Sequence, residues 1–254
     1  MQRRPGFPAR LDGLQRQGPS MTKAAPAAPA APMPQGMGLD SAAVRARMVQ
    51  RLAAGGIDAP QVLQAMGAVE RHRFVDSALA NQAYEDTSLP IGLAQTISKP
   101  SVVARMAQLL LGAECARVGS LGRVLEIGTG CGYQAAVLAR LAREVYTIER
   151  LRALHEKARD NLRPLRLANV HLILGDGMLG YAGGAPYAGI IAAAGGDALP
   201  QTWCEQLAIG GRLVAPLAGP GGQQSLLVID RGAQGLTQTV LESVHFVPLK
   251  SGIA

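Results

Sequence analysis

Three acidic residues and a short run of glycines carry most of the chemistry readable in this sequence. In Val124-Leu125-Glu126-Ile127-Gly128-Thr129-Gly130-Cys131-Gly132-Tyr133, an apolar stretch gives way to glycine at every second position. Glycine lets backbone approach a ligand closely, and a helix beginning behind such a turn presents unpaired N–H groups and the positive end of its dipole. Glu149 and Asp176 follow the next two apolar runs. An acid ending the second strand of such a unit accepts hydrogen bonds from ribose hydroxyls, which suits a nucleoside and a dinucleotide alike. Two details favour the nucleoside. The Gly-x-Gly-x-Gly register departs from the Gly-x-Gly-x-x-Gly that seats a pyrophosphate. A carboxylate at Glu126 would repel a pyrophosphate and attract an ammonium or sulfonium group, a description that S-adenosylmethionine fits. Plainer readings exist for Glu149, as an exposed strand end, and for Asp176, as the start of an Asp-Gly turn. Glu126 is the hardest to explain away, because an acid within an apolar strand is costly to bury without a partner.

These residues act together only if parallel strands bring them to one edge of a sheet. The hydrophobic pattern predicts strands over 123–127, 145–148 (ending in Glu149), 170–174 and 188–193, with helices over 134–141, 151–162 and 199–207 between them. A strand at 212–217 after a Gly-Gly turn, then strands at 226–229 and 240–247, complete the series. Such alternation implies right-handed crossovers and a mostly parallel sheet covered on both faces, and the close spacing of the last strands implies an antiparallel edge. Upstream, Ser41 is placed to cap a helix that carries Val44, Met48, Val49 and Leu52 on one face. A second helix follows Asp58 with Val62, Leu63, Met66 and Val69, and a third runs from Pro100 to about Leu111. Between them, 71–98 shows little periodicity yet is too apolar for a linker, and long irregular segments in compact domains are functional or disordered. On spacing alone, Ser98-Lys99-Pro100 reads as a helix N-cap with proline in the first turn.

With 254 residues, 48% of them hydrophobic, the chain can bury one good core, so a single catalytic domain is expected. Residues 1–38 repeat Ala and Pro, lack periodicity and read as a disordered tail. That tail holds Arg3, Arg4, Arg10, Arg16 and Lys23 against Asp12 alone, so +4 of the formal +7 charge lies in it and +3 in everything after. A nearly balanced body without clustered basic residues and stacking aromatics argues against a nucleic-acid partner. No uninterrupted membrane span and no signal-type apolar run behind Arg3-Arg4 is visible, and a cytoplasmic location without membrane association is expected. Cys115, Cys131 and Cys204 fit neither metal-ligand nor disulfide-framework spacing; no metal is expected, and Cys131 reads as buried filler within the glycine turn.

The stretch 124–133 resembles the first motif of the class I S-adenosylmethionine-dependent methyltransferases. Within that class, Ala83-Tyr84-Glu85-Asp86, Leu89-Pro90-Ile91-Gly92 and Gln95-Thr96-Ile97-Ser98-x-Pro100 resemble the protein-L-isoaspartate O-methyltransferases. Gly175-Asp176-Gly177, Ala208-x-Gly210-Gly211-Arg212-Leu213 and Phe246-Val247-Pro248-Leu249 extend the likeness across roughly 40–250. It implies an α/β Rossmann-like class I methyltransferase sandwich, with a mostly parallel seven-stranded sheet, an antiparallel edge and N-terminal helices. A methyltransferase domain would span 39–254, with a helical cap and substrate loop over 39–112 and a cofactor-binding core over 113–254. The implied cofactor is S-adenosylmethionine, leaving as S-adenosylhomocysteine. Its implied contacts are Thr96, Ile97, Glu126, Gly128, Thr129, Gly130, Gly132, Glu149, Asp176 and Gly177. Ser98 would be the active-site serine, with Tyr84, Asp86, Val247, Pro248 and Leu249 against the substrate. Departures from the family pattern occur at Ala94, Ala188 and Lys250.

The implied reaction methylates the free α-carboxylate of L-isoaspartyl residues in damaged proteins and peptides, the ester then closing to a succinimide. A carboxylic acid with a pKa near about 4 is already ionised at neutral pH, so positioning and water exclusion replace a general base. The rival readings are a class I methyltransferase acting on a small molecule or RNA base, and a non-enzymatic basic nucleic-acid module. The first would offer an aromatic stacking platform such as Asn-Pro-Pro-Tyr for a base, which is missing here. A monomer is expected.

Overall fold

The central strand of the protein is buried on both faces, which fixes the architecture around it. β3 (Leu121–Ile127) pairs in parallel with β4 (Ala142–Glu149) on one side and β6 (Tyr187–Ala192) on the other. The computed structural model describes residues 42–116 and 120–254. The expected tail over 1–38 and the cap assigned to Ser41 lie outside the described residues. Continuous apolar runs such as Val124-Leu125 and Ile190-Ile191, wholly buried, are what strands covered on both faces require.

The seven-stranded sheet has the order β5-β4-β3-β6-β7-β8-β9. β5 (Val170–Leu174) and β7 (Leu207–Ala218) continue the parallel part; β8 (Gln224–Gly232) and β9 (Gly235–Val244) form the antiparallel end. One face packs against α4 (Tyr133–Leu138), α5 (Arg152–Leu162) and the N-terminal helices α1 (Ala42–Ala54), α2 (Pro60–Ala68) and α3 (Pro100–Leu111). The other face gathers Leu125, Ile127, Tyr187 and Ile190 around Trp203 of α6 (Gln201–Gln206).

Two expected strands take different forms. Residues 246–249 are not strand: β9 stops at Val244, and the segment beyond it makes an isolated bridge from Pro248 to Gly195, with the Leu249 N–H donating to the Gly195 carbonyl. Proline lacks the N–H that would continue a ladder there. The expected Gly-Gly turn before 212 is absorbed into β7, where Gly210-Gly211 accompany a register shift against β6. The Arg212 that follows ties β7 to its neighbours, forking onto both carboxylate oxygens of Asp230 and donating to the Leu109 carbonyl.

The aperiodic stretch before α3 holds a small hairpin, β1 (Leu89–Gly92) and β2 (Gln95–Ile97). Its two turn residues, Leu93 and Ala94, have φ of 51° and 56°. Both central residues of a type I′ turn need positive φ, normally met by Asn-Gly, and this sequence meets it with neither. That missing signal hid the hairpin.

Candidate active site

The glycine turn sits at the carboxyl ends of β3 and β6, where parallel sheets bind ligands. Gly128, Gly130 and Gly132 have φ of 90°, 57° and 91°, a left-handed path that side chains rarely follow. A Cβ at Gly132 would also lie 3.0 Å from two atoms of Leu162 on α5. Gly128, Thr129 and Gly130 form one wall of a cavity of about 240 Å3, with Ile127, Glu149 and Gly177 beside them. Thr96, Ile97 and Ser98 also line this cavity, as do Val247, Pro248 and Leu249. The irregular course of 246–249 is what lays these residues along the cavity.

Glu149, at the end of β4, accepts the Gly130 N–H through Oε2 and the Leu151 N–H through Oε1, each at 2.9 Å. A carboxylate has about four lone-pair sites, so acceptors remain for a ribose diol. Its backbone bonds lock the turn and its own orientation together.

Glu126 takes a different place. It alternates along β3 with Leu125 and Ile127, which face Trp203, and so points to the face carrying α4. There it is fully buried and outside the cavity wall. Its Oε2 accepts the Thr147 hydroxyl at 2.5 Å, and Thr147 lies 2.6 Å from the hydroxyl of Thr129 in the cavity wall. The other oxygen, Oε1, finds no hydrogen-bond partner among the described residues. Desolvation by burial pushes the carboxyl pKa from 4.5 up to about 8, Glu149 adding repulsion while Thr147 and Gln134 hold it back. Held at about 8, this carboxyl keeps its proton at neutral pH, so it connects to the cavity wall through hydrogen bonds to Thr147 and Thr129 rather than as the negative charge the sequence suggested.

Asp176 and Gly132 also stand outside the cavity wall. Asp176 accepts the Met178 N–H at 2.9 Å and the Gly252 N–H at 2.6 Å, so it fixes the turn after β5 and fastens the chain near its end. Arg150 lines the cavity and donates to the Gly252 carbonyl, while main-chain bonds join Arg150 and Arg152 to Ala254. Nothing local in the sequence marks residues 251–254 as neighbours of the strand ends. Tyr133 and Gln134 are further wall residues to which sequence reasoning assigned no site role, and Lys250, noted there only as a departure from the family pattern, lines the wall as well. Cys131 is buried against the cavity with its thiol pKa raised to about 11 by burial, which makes it filler rather than a nucleophile.

Tyr84 and Asp86 belong to a second, larger cavity of about 1050 Å3, between the N-terminal helices and the end of β9. Arg51, Lys99, Arg105, Glu242 and Phe246 also line it. Among the described residues, Ser98 is the one common to the walls of both cavities. It does not cap α3. The N-cap is Lys99, without a side-chain hydrogen bond, and the Ser101 N–H is instead taken by Asp86 Oδ1 at 2.8 Å. Among the described residues, no group of three or more His, Cys, Asp or Glu could hold a metal ion, and no helix is long and apolar enough to cross a membrane.

With this geometry in place, likeness to known proteins is informative. Residues 43–254 match the family model described as protein-L-isoaspartate(D-aspartate) O-methyltransferase. A protein-L-isoaspartate O-methyltransferase of Methylibium petroleiphilum is 57% identical over 261 aligned positions, covering 98% of this chain and 96% of that one. One from Leptothrix cholodnii is 61% identical over 219 positions, 85% of this chain and 77% of that one. A solved protein-L-isoaspartate O-methyltransferase superposes with a TM-score of 0.73 at 27% identity, covering 82% of this chain and 67% of that one. The fold is shared with a Plasmodium falciparum structure described as a complex with S-adenosyl-L-homocysteine, at a TM-score of 0.70 and 24% identity, covering 81% of this chain and 98% of that one.

Proposed function

The chain belongs to the protein-L-isoaspartate(D-aspartate) O-methyltransferase family, and from that premise we propose how its two cavities divide the reaction. The enzyme transfers a methyl group from S-adenosylmethionine to the free α-carboxylate of L-isoaspartyl residues in damaged proteins and peptides. The resulting ester closes to a succinimide and so starts repair. When bound, S-adenosylmethionine supplies an electrophilic methyl on a sulfonium and leaves as S-adenosylhomocysteine.

Gly128, Thr129 and Gly130 would cradle it, Glu149 would accept its ribose hydroxyls, and Thr96, Ile97 and Gly177 would close the remaining sides. Glu126 would act from below through Thr147 and Thr129, and Gly132 and Asp176 through the turns they hold. The single observation supporting the assignment of Ser98 is its position where the two cavities meet. A hydroxyl can orient the carboxylate without pairing a full charge to it, and over-stabilising the ground-state anion would slow its attack on the methyl. The isoaspartyl residue would enter past Tyr84 and Asp86 on one side and Val247, Pro248 and Leu249 on the other. Residues 39–112 would thus supply the helical cap and substrate loop and 113–254 most of the cofactor cradle, with Thr96 and Ile97 crossing to the cofactor and Val247, Pro248 and Leu249 to the substrate.

A cytoplasmic monomer that engages neither nucleic acid nor membrane completes the reading. The three cysteines are free thiols, which suits a reducing compartment. Sedimentation at assay concentration tests the monomer. The assay for the function is transfer of a tritiated methyl to paired peptides carrying L-isoaspartate or L-aspartate at one position. Base-labile label on the isoaspartyl peptide alone is expected, and its absence overturns the assignment.

A further inference from the structure

Arg71 is a buried charge that the reaction as described leaves without a task. It is wholly buried, yet its partners among the described residues are main-chain carbonyls and a ring. Nε donates to the Ala83 carbonyl at 2.8 Å, Nη2 to the Thr87 carbonyl at 3.4 Å, and Cζ lies 4.8 Å from the centroid of the Tyr133 ring. Nη1 has no hydrogen-bond partner among the described residues. Burial lowers the guanidinium pKa, while Tyr133 and Cys131 oppose the shift. Asp86 also opposes that shift, but no carboxylate among the described residues is hydrogen-bonded to Arg71, and burying a cation without such a partner is expensive.

The two carbonyls bracket Tyr84-Glu85-Asp86, the substrate-side loop, whereas Tyr133 opens α4 and lines the cofactor cavity. One planar side chain therefore touches both halves of the site. The neighbouring residues hold the same loop: His72 Nδ1 lies 2.7 Å from the Tyr84 hydroxyl, and Arg51 donates to the Tyr84 carbonyl at 2.6 Å. Asp86 passes the position onward by capping α3, whose start is preceded by Ser98.

We propose that Arg71 is a positioning residue that sets loop 83–87, and through Asp86 the Ser98 end of α3, in register with the cofactor cradle. The proposal rests on the methyltransferase reading above and assigns Arg71 no contact with either substrate. A guanidinium suits the task because its rigid fork reaches two carbonyls while its carbon lies over a ring; a lysine ammonium is a point charge on a flexible stem.

The test compares wild type, Arg71→Lys and Arg71→Met by steady-state kinetics on an isoaspartyl peptide, by calorimetric binding of S-adenosylhomocysteine, and by hydrogen exchange of amides 83–87. In folded Arg71→Met, kcat/KM for the peptide is expected to fall about tenfold or more while the cofactor-product Kd stays within about twofold. Exchange over 83–87 should quicken, and Arg71→Lys should recover part of the loss. Should Arg71→Met not fold, Arg71→Lys retains the charge and carries the same readouts, with a smaller fall in kcat/KM. A folded variant with unaltered kcat/KM, or with Kd weakened as much as kcat/KM, overturns the positioning role. Failure of the wild type to methylate the isoaspartyl peptide would instead overturn the reading on which the proposal rests, before any variant is compared.

Discussion

Asp86 accepts the main-chain N–H of Ser101 from fifteen residues upstream, and the first turn of α3 is thereby satisfied by the substrate loop rather than by Ser98. The two acceptors that could have shared this duty have separate ones, and separate consequences follow for their substitution.

Ser98→Ala should leave thermal stability nearly unchanged and S-adenosylhomocysteine binding nearly normal, while methyl transfer falls about 100-fold through lost orientation of the carboxylate. Asp86→Ala should cost about 0.5–2 kcal/mol, as loss of a helix cap does. Denaturant melts and the tritium assay on both variants separate the roles. A Ser98→Ala protein that loses cofactor binding but retains turnover would contradict the assignment.

Glu126 makes stability fall with rising pH. Its pKa stands at about 8 in the fold against an ordinary 4.5, so between those values the native state holds a proton that the unfolded chain has released. The contribution is fully present below the unfolded value and is lost as pH climbs to about 8, with a limiting slope of about 1.4 kcal/mol per pH unit. Glu126→Gln removes that titration. Its stability relative to wild type should rise from pH 5 to pH 8 in urea melts; equal changes for both proteins would refute a buried, neutral Glu126.

Glu149→Ala strips the acceptor from the Gly130 and Leu151 N–H groups, bonds that to a charged group contribute about 1.5–3 kcal/mol each when well buried and less here, where they are partly exposed. Calorimetry should find S-adenosylhomocysteine binding weakened about tenfold or more, beyond what the loss of stability explains. Binding unaffected by the substitution would remove Glu149 from the cofactor site.

Ala94→Gly should stabilise the protein. Ala94 is exposed and held at φ 56°, where a side chain costs about 1–2 kcal/mol, partly offset by the greater freedom of glycine in the unfolded chain. A gain of about 0.5–1 kcal/mol is expected in chemical denaturation. No gain would mean that the turn relaxes at that position.

The sequence made the cradle legible because glycine spacing and apolar runs are local signals. β3, β4 and β5 fall where periodicity placed them, and Glu149 reaches the cavity as a strand-end acid should. Glu126 was legible as an anomaly but not as to its direction: the two-residue period of a strand turns it to the α4 face, and only the fold shows that Thr147 and Thr129 link it to the wall. The cap that Asp86 gives α3 spans fifteen residues, so no window of adjacent positions reveals it. Likewise Gly252 reaches Asp176 across 76 residues, and proximity of that kind is written in topology rather than in spacing. The apolar rhythm of Phe246–Leu249 suggested strand because proline's missing donor leaves no mark on hydrophobicity.

Ser98, which alone among the described residues lines both cavities, also defines an opening for inhibitor design. A compound joining an S-adenosylhomocysteine-like nucleoside to an extended peptide would have to thread its linker past that one hydroxyl. Linker length is therefore set by the reach from the cofactor cavity past Ser98 into the substrate cavity. The nucleoside half alone would suit many methyltransferases, so selectivity would come from the peptide half lying between Tyr84 and Phe246.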